Sequence, residues 1–222
     1  MKEVYHQSLS QSSNRLGSVG AIWRYPVKSM MGEELDVSEA TDGGLLGDRA
    51  YALIESATGR IASAKHPHKW GRLLDFRSSM TEAPALDEPI PPVQITIPSG
   101  NNITSEEENV DTVLSHELGR SVSLTKMRPE SVSVERLDPF DYTAIMDIGP
   151  FMMKGRFSDY AALHILTTAT MDRLRELYKR GRFEVRRFRP NIVIESRAER
   201  PDFIENAWVG RTLAIGEEVR VQ

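Results

Sequence analysis

Tyr25-Pro26-Val27-Lys28-Ser29 follows a predicted strand and sets a cation and a hydroxyl just beyond a proline that fixes the backbone. That arrangement suits an anion, although a surface turn with a solvated lysine uses the same residues. Gly43-Gly44-Leu45-Leu46-Gly47-Asp48-Arg49 is glycine-rich, yet it lacks the Gly-Lys-Ser/Thr ending of a P-loop and runs into a strand rather than a helix. Its glycines fit a tight turn. Asp48 and Arg49 can pair with each other, or Arg49 can offer its guanidinium to the same anion as Lys28. A third basic segment, Arg186-Arg187-Phe188-Arg189-Pro190-Asn191, precedes an apolar strand, and an arginine fork beside an asparagine amide suits a phosphate or the edge of a heterocycle. A rim of solvated arginines is the alternative, and it applies less to Arg189, which adjoins Pro190 and the strand.

Other chemistry finds less support. His66-Pro67-His68 has no third ligand nearby in sequence, so no metal ligand is assigned, and His164 lies in an apolar run where a core histidine is expected. Neither a Ser-His-Asp constellation nor a glycosidase carboxylate pair can be argued from spacing, so no catalytic side chain is assigned. Cysteine is absent, which removes disulfides, thiolate nucleophiles and iron-sulfur ligation from the 222 residues. Lys+Arg of 28 against Asp+Glu of 32 gives a formal charge of -4, unlike a protein built to neutralise nucleic-acid phosphates. RNA binding by the arginine run is further disfavoured by the lack of an aromatic strand motif. No apolar run is long enough for a bilayer and no secretory pattern precedes Ser18, so a cytoplasmic protein without membrane or nucleic-acid partners is expected.

The elements that must position these residues are mostly strands. Val19 to Trp23, Glu34 to Ala40 and Ala50 to Glu55 read with period two, and Ser56-Ala57-Thr58-Gly59 reads as a hairpin connection toward Arg60-Ile61-Ala62. Thr81 to Pro92, with four prolines, is a surface loop or boundary, and Val93 to Ile97 is a strand. Ser105-Glu106-Glu107-Glu108 has the form of a capping box before a helix that ends at Gly119. Val122 to Met127 resumes alternation, Glu130 to Tyr142 reads as an irregular connection, and Thr143 to Ile148 and Phe151 to Met153 as further strands. Leu163 to Leu166 is a strand, Thr170 caps a second helix, and Ile192-Val193-Ile194 is a strand. The alternation from Trp208 reaches Gln222 with no turn after it and reads as a strand cut in mid-course. Two helices among many strands exclude a doubly wound α/β sheet and suggest a β-rich barrel architecture.

Together YPVKS, GLLGDRAYALIE, FSDYAALHILTTAT and RRFRPNIVIE, in this order, resemble the MOSC domain family with its N-terminal β-barrel domain, a family that includes amidoxime-reducing proteins and the C-terminal domain of molybdenum cofactor sulfurase. The resemblance implies a mainly β chain with a few helices (α+β). The Ser- and Gln-rich residues 1–17 are expected to be a disordered tail, and the resemblance divides the rest into an N-terminal β-barrel-like domain at 18–92 and a MOSC β-barrel domain at 93–222. It further implies a molybdenum cofactor (molybdopterin) whose pterin carries a phosphate and whose dithiolene holds the metal. Lys28, Ser29 and Arg49 would hold the phosphate end, Arg189 and Asn191 would contact pterin or phosphate from the other domain, and Ser158, Asp159 and Tyr160 would add pterin contacts. The implied activity is molybdenum-dependent reduction of N-hydroxylated compounds with electrons from a separate redox protein. Such relatives place a cysteine on molybdenum after the last strand, so the chain is expected either to be truncated before it or to be a cysteine-free member. A non-catalytic cofactor or sulfur carrier, and an anion-binding interaction domain, remain the alternatives.

Overall fold

The computed structural model describes residues 3–7, 14–126, 133–153 and 155–222. Along the chain the strands begin with β1 (Glu3–Gln7), β2 (Asn14–Arg24), β3 (Glu33–Leu35), β4 (Ala40–Thr41), β5 (Gly44–Leu45), β6 (Ala52–Glu55), β7 (Arg77–Met80) and β8 (Val93–Thr96). They continue with β9 (Asn102–Thr104), β10 (Val122–Thr125), β11 (Glu135–Leu137), β12 (Ile145–Asp147), β13 (Ile165–Thr167), β14 (Ile192–Ser196), β15 (Thr212–Ile215) and β16 (Val219–Val221). Helices α1 (Pro67–Trp70), α2 (Val110–Leu118), α3 (Thr168–Leu177) and α4 (Val185–Phe188) complete a mainly β, α+β chain. Two compact units form, both discontinuous: Met1–Trp23 with Glu34–Ala40 and Leu163–Gln222, and Arg24–Glu33 with Thr41–Ala162.

The first unit is built on a sheet of order β13-β14-β2-β1-β15-β16, with β3 also on β2. Its parallel pair, β13 with β14, needs a long crossover, and residues 168–191 provide it through α3 and α4. β14 lies between β13 and β2, so Ile192, Val193 and Ile194 are all buried, which is why the run is apolar without alternation. Val19, Leu213 and Ile215 join the same core. Thr167 starts α3 by accepting a hydrogen bond from the Thr170 amide (3.1 Å), so the expected cap residue Thr170 is instead the one that is capped.

The second unit holds the meander β7-β8-β9, the pairs β6–β10, β11–β12 and β4–β5, and α2. Period two in β6 sends Leu53 into one core with Trp70, Phe76 and Leu114, and sends Ala52 and Ile54 into another with Val134, Ile148 and Phe157. Lys69 on α1 reaches Glu55 on β6 (2.7 Å) and Glu135 on β11 (3.1 Å), tying the three elements.

Several sequence expectations change. β1 lies in the stretch expected as a disordered tail; its antiparallel ladders to β2 and β15 are made by backbone groups, which a Ser- and Gln-rich composition does not reveal. The expected boundary at 92/93 falls inside the second unit, because β7 and β8 pair across the proline-rich loop. Phe151 ends a 3-10 turn, Gly149–Phe151, whose Pro150 has no N–H to give a ladder, so no strand forms at Phe151 to Met153. β11 lies in the connection expected to be irregular, and Met127 and residues 130–132 of those predictions lie outside the described residues. The tail after Trp208 folds back as the hairpin β15–β16, turning at Gly216 with φ 63°. The expected capping box does not form: α2 begins at Val110 after Asn109 with no side-chain cap, while Glu107 accepts from the Thr104 amide (2.8 Å) in the preceding turn and Ser105 accepts from the Val93 amide (3.0 Å). Among the described residues the strand pairings close no ring, so neither barrel is seen as a closed barrel. No helix among them is long and apolar enough to cross a membrane.

Candidate functional site

In the second unit three segments are laid side by side by their backbones. The Arg49 amide donates to the Tyr25 carbonyl (2.8 Å), the Tyr51 amide to the Pro26 carbonyl (2.9 Å), and the Lys28 amide to the Tyr51 carbonyl (2.8 Å). The Phe157 amide then donates to the Arg49 carbonyl (3.1 Å). This ladder brings the predicted residues Lys28, Ser29, Arg49, Ser158 and Asp159 onto adjoining stretches of chain.

Lys28 is only 4% exposed, and its ammonium donates to Asp159 Oδ1 (2.6 Å) and the Phe157 carbonyl (2.9 Å). Lys65 reaches the other oxygen of the same carboxylate (2.9 Å). Burial alone would raise the Asp159 carboxyl, but the charges and hydrogen bonds of Lys28 and Lys65 hold it below the usual carboxylate range. Asp48, buried, accepts from the Tyr25 amide (2.8 Å) through one oxygen and holds Arg49 Nη1 through the other, which sets the guanidinium 4.5 Å from the Tyr25 ring centre. Ser29 Oγ accepts from the Ala64 amide (3.0 Å) and so fixes the start of the Lys65 loop. Ser158 is buried, whereas Tyr160 is half exposed, with Lys65 Nζ 4.9 Å from its ring centre.

Arg156 was not singled out by the sequence reading. Its guanidinium donates to the Leu45 carbonyl (2.8 Å) and to Thr41 Oγ1 (3.1 Å), pinning the glycine-rich loop. Burial lowers its pKa from the ordinary arginine value, with Asp48 opposing. The loop can approach so closely because residue 44 is glycine: at φ 102° a Cβ there would lie 2.1 Å from the Ala162 carbonyl oxygen. Across these segments four cations, Lys28, Lys65, Arg49 and Arg156, stand with two carboxylates, Asp48 and Asp159.

In the first unit, Asn191 is nearly fully buried and its side chain is taken up by backbone: Oδ1 accepts from the His164 amide (3.1 Å) and Nδ2 donates to the Trp23 carbonyl (3.2 Å). It therefore fastens the ends of β13 and β2 to the entry of β14. His164, expected in the core, is exposed and works here through its backbone. Arg189 ends α4 in the left-handed conformation, φ 51°. Non-glycine residues adopt that conformation rarely, and among the described residues four do: Ser29 (φ 68°), Arg49 (φ 48°), Asp87 (φ 63°) and Arg189. Three of the four are residues predicted to bind the anion, Ser29 and Arg49 in the second unit and Arg189 in the first.

The chain belongs to the MOSC domain family: the MOSC N-terminal beta barrel domain matches residues 16–114 and the MOSC domain matches residues 153–222, together about three quarters of the chain. MOSC domains are associated with molybdenum cofactor binding and with sulfurase-like proteins. A search of curated proteins found no match to the chain.

Proposed function

We propose that this protein binds the molybdenum cofactor through its phosphate and pterin and acts, in the cytoplasm, as a reductase of N-hydroxylated compounds. The observation that carries the reading is the ladder that joins Lys28, Ser29 and Arg49 to Ser158 and Asp159, with Ser29 and Arg49 held in left-handed backbone. The donor set suits the anionic end of the group: an ammonium, a guanidinium and a hydroxyl from Lys28, Arg49 and Ser29.

Lys28 and Arg49 would neutralise the phosphate, Ser29 would hydrogen-bond it, and Ser158, Asp159 and Tyr160 would meet the pterin. Arg189 would contribute a second guanidinium contact, and Asn191 would act as the residue that positions the backbone beside it. When bound, the cofactor supplies a molybdenum centre able to exchange electrons with a substrate. The net reaction breaks the N–O bond, takes two electrons from a separate redox protein and two protons from solvent, and releases water. Asp159 Oδ1 accepts from the Lys28 ammonium, keeping that proton on nitrogen and the lysine charged. The test is reduction of an aryl amidoxime by protein purified from a cofactor-competent host and supplied with a reductant. Turnover with loss of the N–O bond is expected; molybdenum-loaded protein that leaves the amidoxime intact contradicts the reductase. A second reading is a non-catalytic cofactor carrier, and loading without turnover would select it.

A further inference from the structure

The arginine run read from the sequence is part of a wider basic surface on the first unit. From Asp172 to Arg189, the crossover between β13 and β14 carries eight cations against three carboxylates, a net charge of +5 in a chain whose formal charge is -4. Four arginines are partly compensated: Arg173 by Glu176, Arg175 by Asp172, and Arg182 and Arg186 both by Glu184. Lys179, Arg180 and Arg187 are exposed, and no carboxylate of the described residues pairs with them.

This surface is shaped rather than frayed. Arg175 Nη2 donates to the Phe183 carbonyl (3.1 Å), fastening the turn to α3. Gly181 lets the Tyr178 and Phe183 rings close over the turn, since a Cβ there would come within 2.3 Å of the Phe183 ring. Beside the cations Leu177 is 58% exposed and Tyr178 60%. Cations next to solvent-facing apolar side chains are the pattern of a protein-docking surface, where charge steers the encounter and apolar contact holds it. A phosphate backbone would instead run against Asp172, Glu176 and Glu184, which are spread through the patch.

We propose that the surface from Asp172 to Arg187 docks an acidic face of another protein, with Lys179, Arg180 and Arg187 supplying the charge and Leu177 and Tyr178 the apolar contact. This does not depend on the cofactor reading, and the variants below leave Arg189 in place. The test is fluorescence anisotropy on the full chain with three labelled probes of equal charge: an all-glutamate peptide, a glutamate peptide with a central Leu-Phe pair, and an oligothymidylate. The Leu-Phe peptide should bind tightest and the oligothymidylate weakest. Replacing Lys179, Arg180 and Arg187 together by Glu should weaken both peptides by about tenfold or more, with an unchanged circular dichroism spectrum. Leu177→Ser should remove the advantage of the Leu-Phe pair alone. Unchanged peptide affinity in the natively folded triple variant overturns the proposal, and so does oligothymidylate binding more tightly than either peptide.

Discussion

Asp159 is the carboxylate around which Lys28 and Lys65 are arranged, and removing it leaves a buried ammonium without its counter-ion. Asp159→Ala should therefore cost about 3 kcal/mol, the usual scale for breaking one side of a buried pair, measured by urea unfolding. Because its folded pKa is lowered, the stability it contributes is present above the unfolded carboxyl value of about 3.9 and is lost as pH falls through the folded value. The acid side of the stability profile should be flatter in Asp159→Asn than in the wild type; superimposable acid limbs would rule that linkage out. At Arg189 the backbone and the side chain want different residues. Arg189→Gly should be about 1 kcal/mol more stable than Arg189→Ala, since only glycine relieves the left-handed φ. Both should lower the pterin content of the purified protein more than Arg186→Ala, and equal retention in all three would remove Arg189 from the site. Lys28, Ser29, Arg49 and Arg189 could be singled out because each is polar and lies within three residues of a Pro or Gly. Lys65 and Arg156 were not: Arg156 meets Leu45 across 111 positions, and no local pattern announces a contact of that range.

At the scale of elements, the candidate anchors depend on short, exactly terminated pieces. α3 begins because Thr167 caps it, and Glu205 accepts from both the Thr167 amide and the Thr170 hydroxyl, so the crossover leaves β13 along a fixed path. Thr167→Ala should cost about 1 kcal/mol, the common loss for an N-cap. Gly44→Ala should cost more than that, since it meets both an unsuitable φ and the Ala162 carbonyl. Chemical denaturation of the two variants gives the order, and a Gly44→Ala protein as stable as wild type would show that the loop has room to move. The existence of most strands could be read from alternation, as in β8, because one face must meet a core, or from a short apolar run, as in β14. Their ends and partners could not. The hairpin β15–β16 has the same period as one long strand, and β1 is held by backbone ladders that side-chain types do not encode.

For the molecule as a whole, charge is distributed against its average. A chain of net charge -4 gathers four cations with two carboxylates at the Lys28–Arg49–Asp159 site and eight cations with three carboxylates along Asp172 to Arg189. Composition showed only the average and gave no position for either cluster. The discontinuous units were equally hidden, since residues 24–33 belong with 41–162 through long-range contacts and not through any break in composition. The central claim is that the backbone ladder and its cations exist to hold a phosphate-bearing pterin. The most direct test is the molybdenum and pterin content, per chain, of wild-type protein and of Arg49→Ala, both purified from a cofactor-competent host. Near-stoichiometric loading of the wild type and its loss in a folded Arg49→Ala are expected. Wild-type protein free of both, or an Arg49→Ala protein loaded to the same level, would contradict the account.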